Sequence, residues 1–350
     1  MLHPAPDNSL TPLTGSAKWD ILSGLRFQLA LVVAATHLSE YTDPGAARML
    51  AALGAFEAIM GFLIISGYSI GFSIQKKPDG FFLRRMARIY PVYLASIVIA
   101  AFANGSFADF HLADLVFLNH VVTASSFVGP AWTLALEVWL YAFAPLFVRL
   151  NLRSLQVICV ASFLLYCGYT AGRTLFHWTY YSGTSFGLNL PLLAFMWIAG
   201  FCLSLEKGHA RRTFFLIAAL IIGHICLTFA VECGHSLKHH DIAAFYSDFV
   251  PGLLMRSGTL ALVYLIFRYG LTRLHVPKYL TMPLRFAGDI SYPLYLVHMP
   301  AYVLCVRFGL SAWPLMLLAA LLLSSLVYVA VDFYSKKREA LLKQSAAPAF

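Results

Sequence analysis

Long apolar runs broken by short polar segments dominate the chain. They fall at roughly 21–40, 49–73, 88–107, 131–149, 155–171, 188–205, 213–231, 249–268, 285–306 and 313–334. A helix rises about 1.5 Å per residue, so ~20 apolar residues cross the ~30 Å hydrocarbon core of a bilayer. The pattern predicts an all-α protein, a polytopic transmembrane helical bundle of about ten spans. No internal repeat or low-complexity tract interrupts it. The longest polar connections, 108–130, 172–187 and 232–248, all fall on one side of such a bundle. One transmembrane domain, 21–335, is expected to take most of the chain. Residues 1–20 are rich in Pro, Ser and Thr, lack the apolar centre of a signal peptide, and read as a short cytoplasmic tail. Residues 336–350 read as a basic cytoplasmic tail.

Composition agrees with this picture. Hydrophobic residues make up 60% of the 350 and charged residues only 12%, about half the ~25% of a soluble domain. The net charge of +9 could suggest a nucleic-acid partner, but its distribution argues against one. With the N-terminus inside, only Arg48, Arg173, Lys238, Arg256 and Arg307 of the 25 Lys and Arg fall on or near the outside. Lys76, Lys77, Arg84, Arg149, Lys207 and Arg211 are among those inside. That is the positive-inside pattern, with both termini cytoplasmic. The six cysteines contain no Cys-x-x-Cys pair and mostly sit in apolar runs, so they read as small core residues.

Ionisable groups inside spans are costly and therefore candidate functional groups. Arg26 and His37 are 11 residues apart, three helical turns plus ~20°, on one face and about 16 Å apart along the axis. Glu40 follows His37 at i+3, within its reach. Arg85 and Arg88, at i and i+3, turn two guanidinium groups the same way near the cytoplasmic surface, an arrangement that suits phosphate oxygens. Equally, such a cluster could bind anionic lipid headgroups. Gly129-Pro130 marks a helix start and leaves Glu137 roughly 10 Å inside the span. His298 lies 13 residues beyond Arg285, about 20 Å up the helix. On straight helices His37, Glu137 and His298 fall at similar depth, although Pro293 and Pro300 are expected to kink their span. Glu232, Cys233, His235, His239, His240 and Asp241 resemble metal ligands but lack a zinc spacing, as do Asp109, His111, Asp114 and His120. No metal site is expected. Neither a Gly-rich phosphate loop nor a Gly-x-Ser-x-Gly elbow is present.

Five segments, in order, resemble the acyltransferase-3 family of bacterial membrane acyltransferases. They are Arg26 with His37, Phe62-Leu63-Ile64-Ile65-Ser66-Gly67-Tyr68, Arg85-Met86-Ala87-Arg88, Trp132-Thr133-Leu134-Ala135-Leu136-Glu137, and Ser291 through Pro300. Two departures stand out. The family's acid seven residues before Ser-Gly is replaced by Ile59, with Glu57 displaced by two, and Thr133 stands for the usual Ser.

The resemblance implies a multi-pass enzyme of the bacterial cytoplasmic membrane. Such an enzyme would transfer an acyl group, usually acetyl, from acyl-CoA to a hydroxyl of a cell-envelope carbohydrate, glycolipid or similar acceptor. Acyl-CoA would be a donor substrate, with no permanently bound cofactor. Arg85 and Arg88, with Arg26, would hold the donor. His37 would act as general base, with Glu40 or Glu137 orienting it, and a covalent acyl-His route is a rival. Trp132, Ser291, Tyr292 and His298 would shape the substrate path. A glycolipid flippase or proton-coupled transporter could use the same buried His and Glu. A non-catalytic membrane subunit is a third reading.

Overall fold

The computed structural model describes residues 15–206, 208–240 and 242–345. Lys207, Asp241 and the outermost parts of both expected tails lie outside the described residues. Ten long helices follow one another: α1 (Gly15–His37), α2 (Ala55–Lys76), α3 (Phe81–Asn104), α4 (Ala131–Phe147), α5 (Leu152–Phe176), α6 (Asn189–Leu205), α7 (Arg211–His239), α8 (Ile242–Arg273), α9 (Lys278–Arg307) and α10 (Trp313–Ser345). No β-strand occurs among the described residues. Seven of these helices are long and apolar enough to cross a membrane: α1, α2, α3, α5, α7, α8 and α10. Helices α4 and α6 are shorter but apolar, and α9 carries Pro283, Pro293 and Pro300 within one continuous helix. The molecule is thus an all-α membrane bundle. Helix α1 begins at Gly15, ahead of the first apolar run, and α10 continues past the last one to Ser345.

Helices α2 and α6 form the centre. Nearly every residue of α6 from Leu192 to Leu203 is buried, the signature of a helix enclosed on all sides. The two pack backbone to backbone. A Cβ added at Gly67 would lie 1.9 Å from the Trp197 carbonyl oxygen, and one at Gly200 would lie 2.1 Å from that of Ile64. Small residues permit such crossings where no water-driven force holds helices together.

Helices α1 and α9 run parallel and are pinned along their length. At one end Arg285 Nε donates to Asp20 at 2.6 Å. Gly288 then abuts Ser23, and at the other end the Tyr302 hydroxyl donates to Ala34 O at 3.0 Å. The first of these ends, which also carries Arg85 and Arg88, is called the basic end below.

The connection 108–130 does not float over the opposite end. Asp114 and His120 are buried within it. The Tyr93 hydroxyl donates to Asp114 O at 2.9 Å, and Trp139 Nε1 donates to Phe117 O at 3.0 Å. Trp139 is two turns into α4, so the loop backbone at Phe117 lies beside that helix.

Candidate active site

A cavity of about 160 Å³ opens between α1, α2, α3, α4 and α9, roughly tenfold what one water requires. Arg26, Arg85, Arg88 and Glu137 line it, together with Ser66, Ser69, Tyr141, Ser291 and Tyr292. Ile59, Phe62, Leu63, Leu134 and Tyr295 supply apolar wall. Three guanidinium groups against one carboxylate leave a net excess of two positive charges. Local structure explains how they converge. Arg85 and Arg88 are one turn apart on the first part of α3, so both reach the cavity wall, Arg85 half-buried and Arg88 exposed. Tyr292 of α9 fixes that segment by donating to Ile89 O at 3.2 Å. Arg26 donates through Nη2 to Ser69 Oγ of α2 at 2.6 Å, and it is close enough to feel Arg85, Arg88 and Glu137 electrostatically.

Glu137 ends a chain of donors. Trp197 Nε1 donates to Ser66 Oγ (3.2 Å), and Ser66 and the Tyr141 hydroxyl are 3.1 Å apart. Tyr141 in turn donates to Glu137 Oε2 at 2.8 Å. Each hydroxyl can pass on one hydrogen, so the chain closes on a carboxylate acceptor. Sequence alone assigns no role to Ser66, Tyr141, Ser69 or Tyr295. Ser66 and Tyr295 lie inside the quoted motifs, which is the available signal.

The histidines form a second cluster. His37 Nδ1 and His298 Nε2 are 3.1 Å apart, and the ring centroids are separated by 5.1 Å. His37 Nδ1 also lies 3.0 Å from Val33 O, and His298 Nδ1 lies 3.0 Å from Leu294 O. Each ring thus folds back on the carbonyl four residues earlier in its own helix. His298 is wholly buried, whereas His37 keeps 26% of its side chain exposed. Glu40 Oε1 is 3.9 Å from His37 Nε2 and half exposed, too far for a hydrogen bond.

The expected single depth of His37, Glu137 and His298 needs correction. Thr133 of α4 and Tyr295 of α9 share a hydrogen bond of 2.7 Å, which registers the two antiparallel helices. Glu137 lies four residues from Thr133 toward the basic end, and His298 three residues from Tyr295 away from it. At 1.5 Å per residue the carboxylate is about 10 Å nearer the basic end than the imidazoles. Glu137 therefore shares the cavity wall with the arginines and stands away from His37. His298 joins His37 instead of lining the cavity. Trp132 also stands outside the lining, buried in the apolar core, because the ~100° turn per residue aims it away from the face that carries Thr133 and Glu137.

The displaced acid, Glu57, has its own partner. Its Oε1 is 3.4 Å from His224 Nε2, and His224 Nδ1 meets the Tyr166 hydroxyl at 2.8 Å. This network joins α2, α5 and α7 apart from the cavity. Among the described residues, no group of three or more His, Cys, Asp or Glu side chains is arranged to hold a metal ion. Of the two loop sets considered above, Asp241 lies outside the described residues.

Sequence comparison decides the family. The acyltransferase-3 family model, described as an acyltransferase domain, matches residues 19–334. The chain belongs to the acyltransferase-3 family. Two curated relatives point the same way. Acyltransferase MdmB of Streptomyces mycarofaciens is 30% identical over 151 residues, which is 37% of this chain and 39% of that protein. The putative acetyltransferase ORF330 of Acidianus two-tailed virus is 26% identical over 296 residues, 81% of this chain and 78% of that protein. No solved structure matches the chain. This acyltransferase-3 member is therefore a multi-pass membrane protein of a family of acyl-transferring enzymes.

Proposed function

We propose that this protein transfers an acyl group, acetyl in the first instance, from cytoplasmic acyl-CoA to a hydroxyl of a cell-envelope carbohydrate or glycolipid in the bacterial cytoplasmic membrane. The cavity carries this reading. It gathers three guanidinium groups at the basic end, which the positive-inside pattern assigns to the cytoplasm, and adds apolar wall from Phe62, Leu134 and Tyr295. A donor with phosphates at one end and a thioester on a long thin arm suits that gradient of character. Arg85 and Arg88 bind phosphate oxygens by charge-assisted hydrogen bonds, Arg26 guides the arm, and Glu137 offsets part of their charge. The arm extends past Tyr295, whose ring lies 6.4 Å from that of His298.

His37 acts as general base. Its imidazole takes the hydroxyl proton as the acceptor oxygen bonds to the thioester carbonyl carbon. The carbon–sulfur bond then breaks, and the proton passes from His37 to the leaving CoA sulfur. The exposure of His37 suits an acceptor approaching from the side away from the arginines.

The test is release of free CoA thiol from acetyl-CoA by purified protein, with and without the host envelope-glycan fraction. Wild type is expected to release thiol, and inserted, folded His37→Ala is expected to fall to background. Activity retained in His37→Ala overturns the base assignment. Neither binding nor turnover of acetyl-CoA by folded wild type overturns the donor.

A further inference from the structure

Two carbonyl oxygens decide where the protons of the histidine pair reside. A carbonyl only accepts, so the 3.0 Å contact between His298 Nδ1 and Leu294 O requires the hydrogen on Nδ1. In the neutral ring Nε2 is then a bare acceptor. It faces His37 Nδ1 at 3.1 Å. His37 Nδ1 also lies 3.0 Å from Val33 O, a second acceptor. Both neighbours call for a hydrogen on His37 Nδ1, shared between them. The opposite assignment, a doubly protonated His298 donating to a bare His37 Nδ1, would set that lone pair against the Val33 oxygen. With both rings neutral, only one arrangement satisfies all three contacts, and it leaves His37 Nε2 bare, on the side of the ring that faces Glu40.

From this we propose that His298 is the positioning residue of the reaction. A neutral imidazole accepts the Nδ1 hydrogen of His37, fixes that ring's tautomer and plane, and aims Nε2 as the proton-accepting atom. The inference rests on His37 being the base. In the familiar serine-hydrolase arrangement a carboxylate fills this role on the nitrogen opposite the reacting one. Among the described residues the carboxylate beside His37 is Glu40, and it lies on the Nε2 side, so it cannot do so. A neutral partner suits the location, because His298 is fully enclosed and a buried carboxylate there would need a further cation. The tautomer is the less common one for a free histidine in water, which is why it needs a dedicated acceptor.

Three substitutions separate hydrogen bonding from packing. In His298→Gln the amide oxygen can occupy the place of Nε2 and still accept. In His298→Asn the amide ends at the level of Nδ1 and does not reach His37. His298→Leu keeps volume without an acceptor. The expected result is that Asn and Leu lower kcat by about 10- to 100-fold with KM for the acyl donor within about twofold, and that Gln restores most of kcat. Nitrogen-15 spectra of labelled histidine, with the His37 signals assigned by their loss in His37→Ala, are expected to show Nδ1 protonated and Nε2 bare in the neutral ring.

Wild-type kcat in folded His298→Leu, with His37→Ala inactive, overturns the role of His298 and leaves the base assignment standing. A protonated His37 Nε2 in the neutral wild-type ring overturns the tautomer. Full activity in His37→Ala removes the reading beneath both.

Discussion

Replacing Gly67 with alanine adds one methyl group at the tightest point of the bundle. That carbon would sit 1.9 Å from the Trp197 carbonyl oxygen, with its carbonyl carbon at 2.8 Å and the Phe201 nitrogen at 3.0 Å. All three are backbone atoms of α6, so no side chain can swing aside. A close carbon–oxygen contact needs about 3.3 Å, so α2 and α6 must part by roughly 1.4 Å there. The 3.2 Å bond from Trp197 Nε1 to Ser66 Oγ spans the same junction and would be lost at that separation. Overpacking of this kind costs about 1–3 kcal/mol, and the lost hydrogen bond adds ~1 kcal/mol. The midpoint of thermal unfolding in detergent, followed by size-exclusion chromatography, is expected to fall by several degrees. Thiol release should fall with it, since Ser66 supports Tyr141 and, through it, Glu137. Gly168→Ala is the matched control: it lies within helix α5, and an added Cβ meets nothing within 4 Å. There the exchange should be neutral or stabilising by up to ~1 kcal/mol, from helix propensity alone. If Gly67→Ala unfolds together with Gly168→Ala, the backbone crossing is not as described.

Two further expectations concern binding and the outer cap. Arg85→Ala with Arg88→Ala should raise KM for acyl-CoA at least tenfold, as ~1.5–3 kcal/mol is expected for each charged hydrogen bond lost, and should leave KM for the acceptor within about twofold; a rise confined to the acceptor would refute the phosphate role. In the loop 108–130, the buried His120 donates from Nδ1 to Thr184 O at 3.1 Å and its Nε2 meets Ser126 Oγ at 2.9 Å. Burial holds the His120 imidazole below the ordinary histidine range. Its folded form resists the proton that the unfolded form accepts, so loop stability is retained above the unfolded value of about 6.5 and declines as pH falls below it. Proteolysis within 108–130 is therefore expected to accelerate from pH 7 to 5, and His120→Asn, which keeps a donor for Thr184 O and does not titrate, should flatten that dependence. An unchanged slope would assign the effect elsewhere.

Hydrophobic periodicity alone determined the helical membrane architecture, because a bilayer demands ~20-residue apolar helices and little else satisfies the backbone there. Motif order determined the family, and spacing along single helices placed Arg85 with Arg88 and Arg26 on the face of His37. These are properties of one helix, set by 100° and 1.5 Å per residue. Relations between helices were not legible. The contact of His37 with His298 joins residues 261 positions apart and depends on the register of α1 against α9, which Ser23, Gly288 and Asp20 with Arg285 set. The place of Glu137 beside the arginines rather than beside His37 depends on the register of α4 against α9, which Thr133 and Tyr295 set. The union of Glu57 with His224 depends on α2 meeting α7. Sequence specifies which groups each helix carries and on which face; only packing decides the depth at which two faces meet, because sliding a helix by one turn costs its own hydrogen bonds nothing and changes every partner it touches.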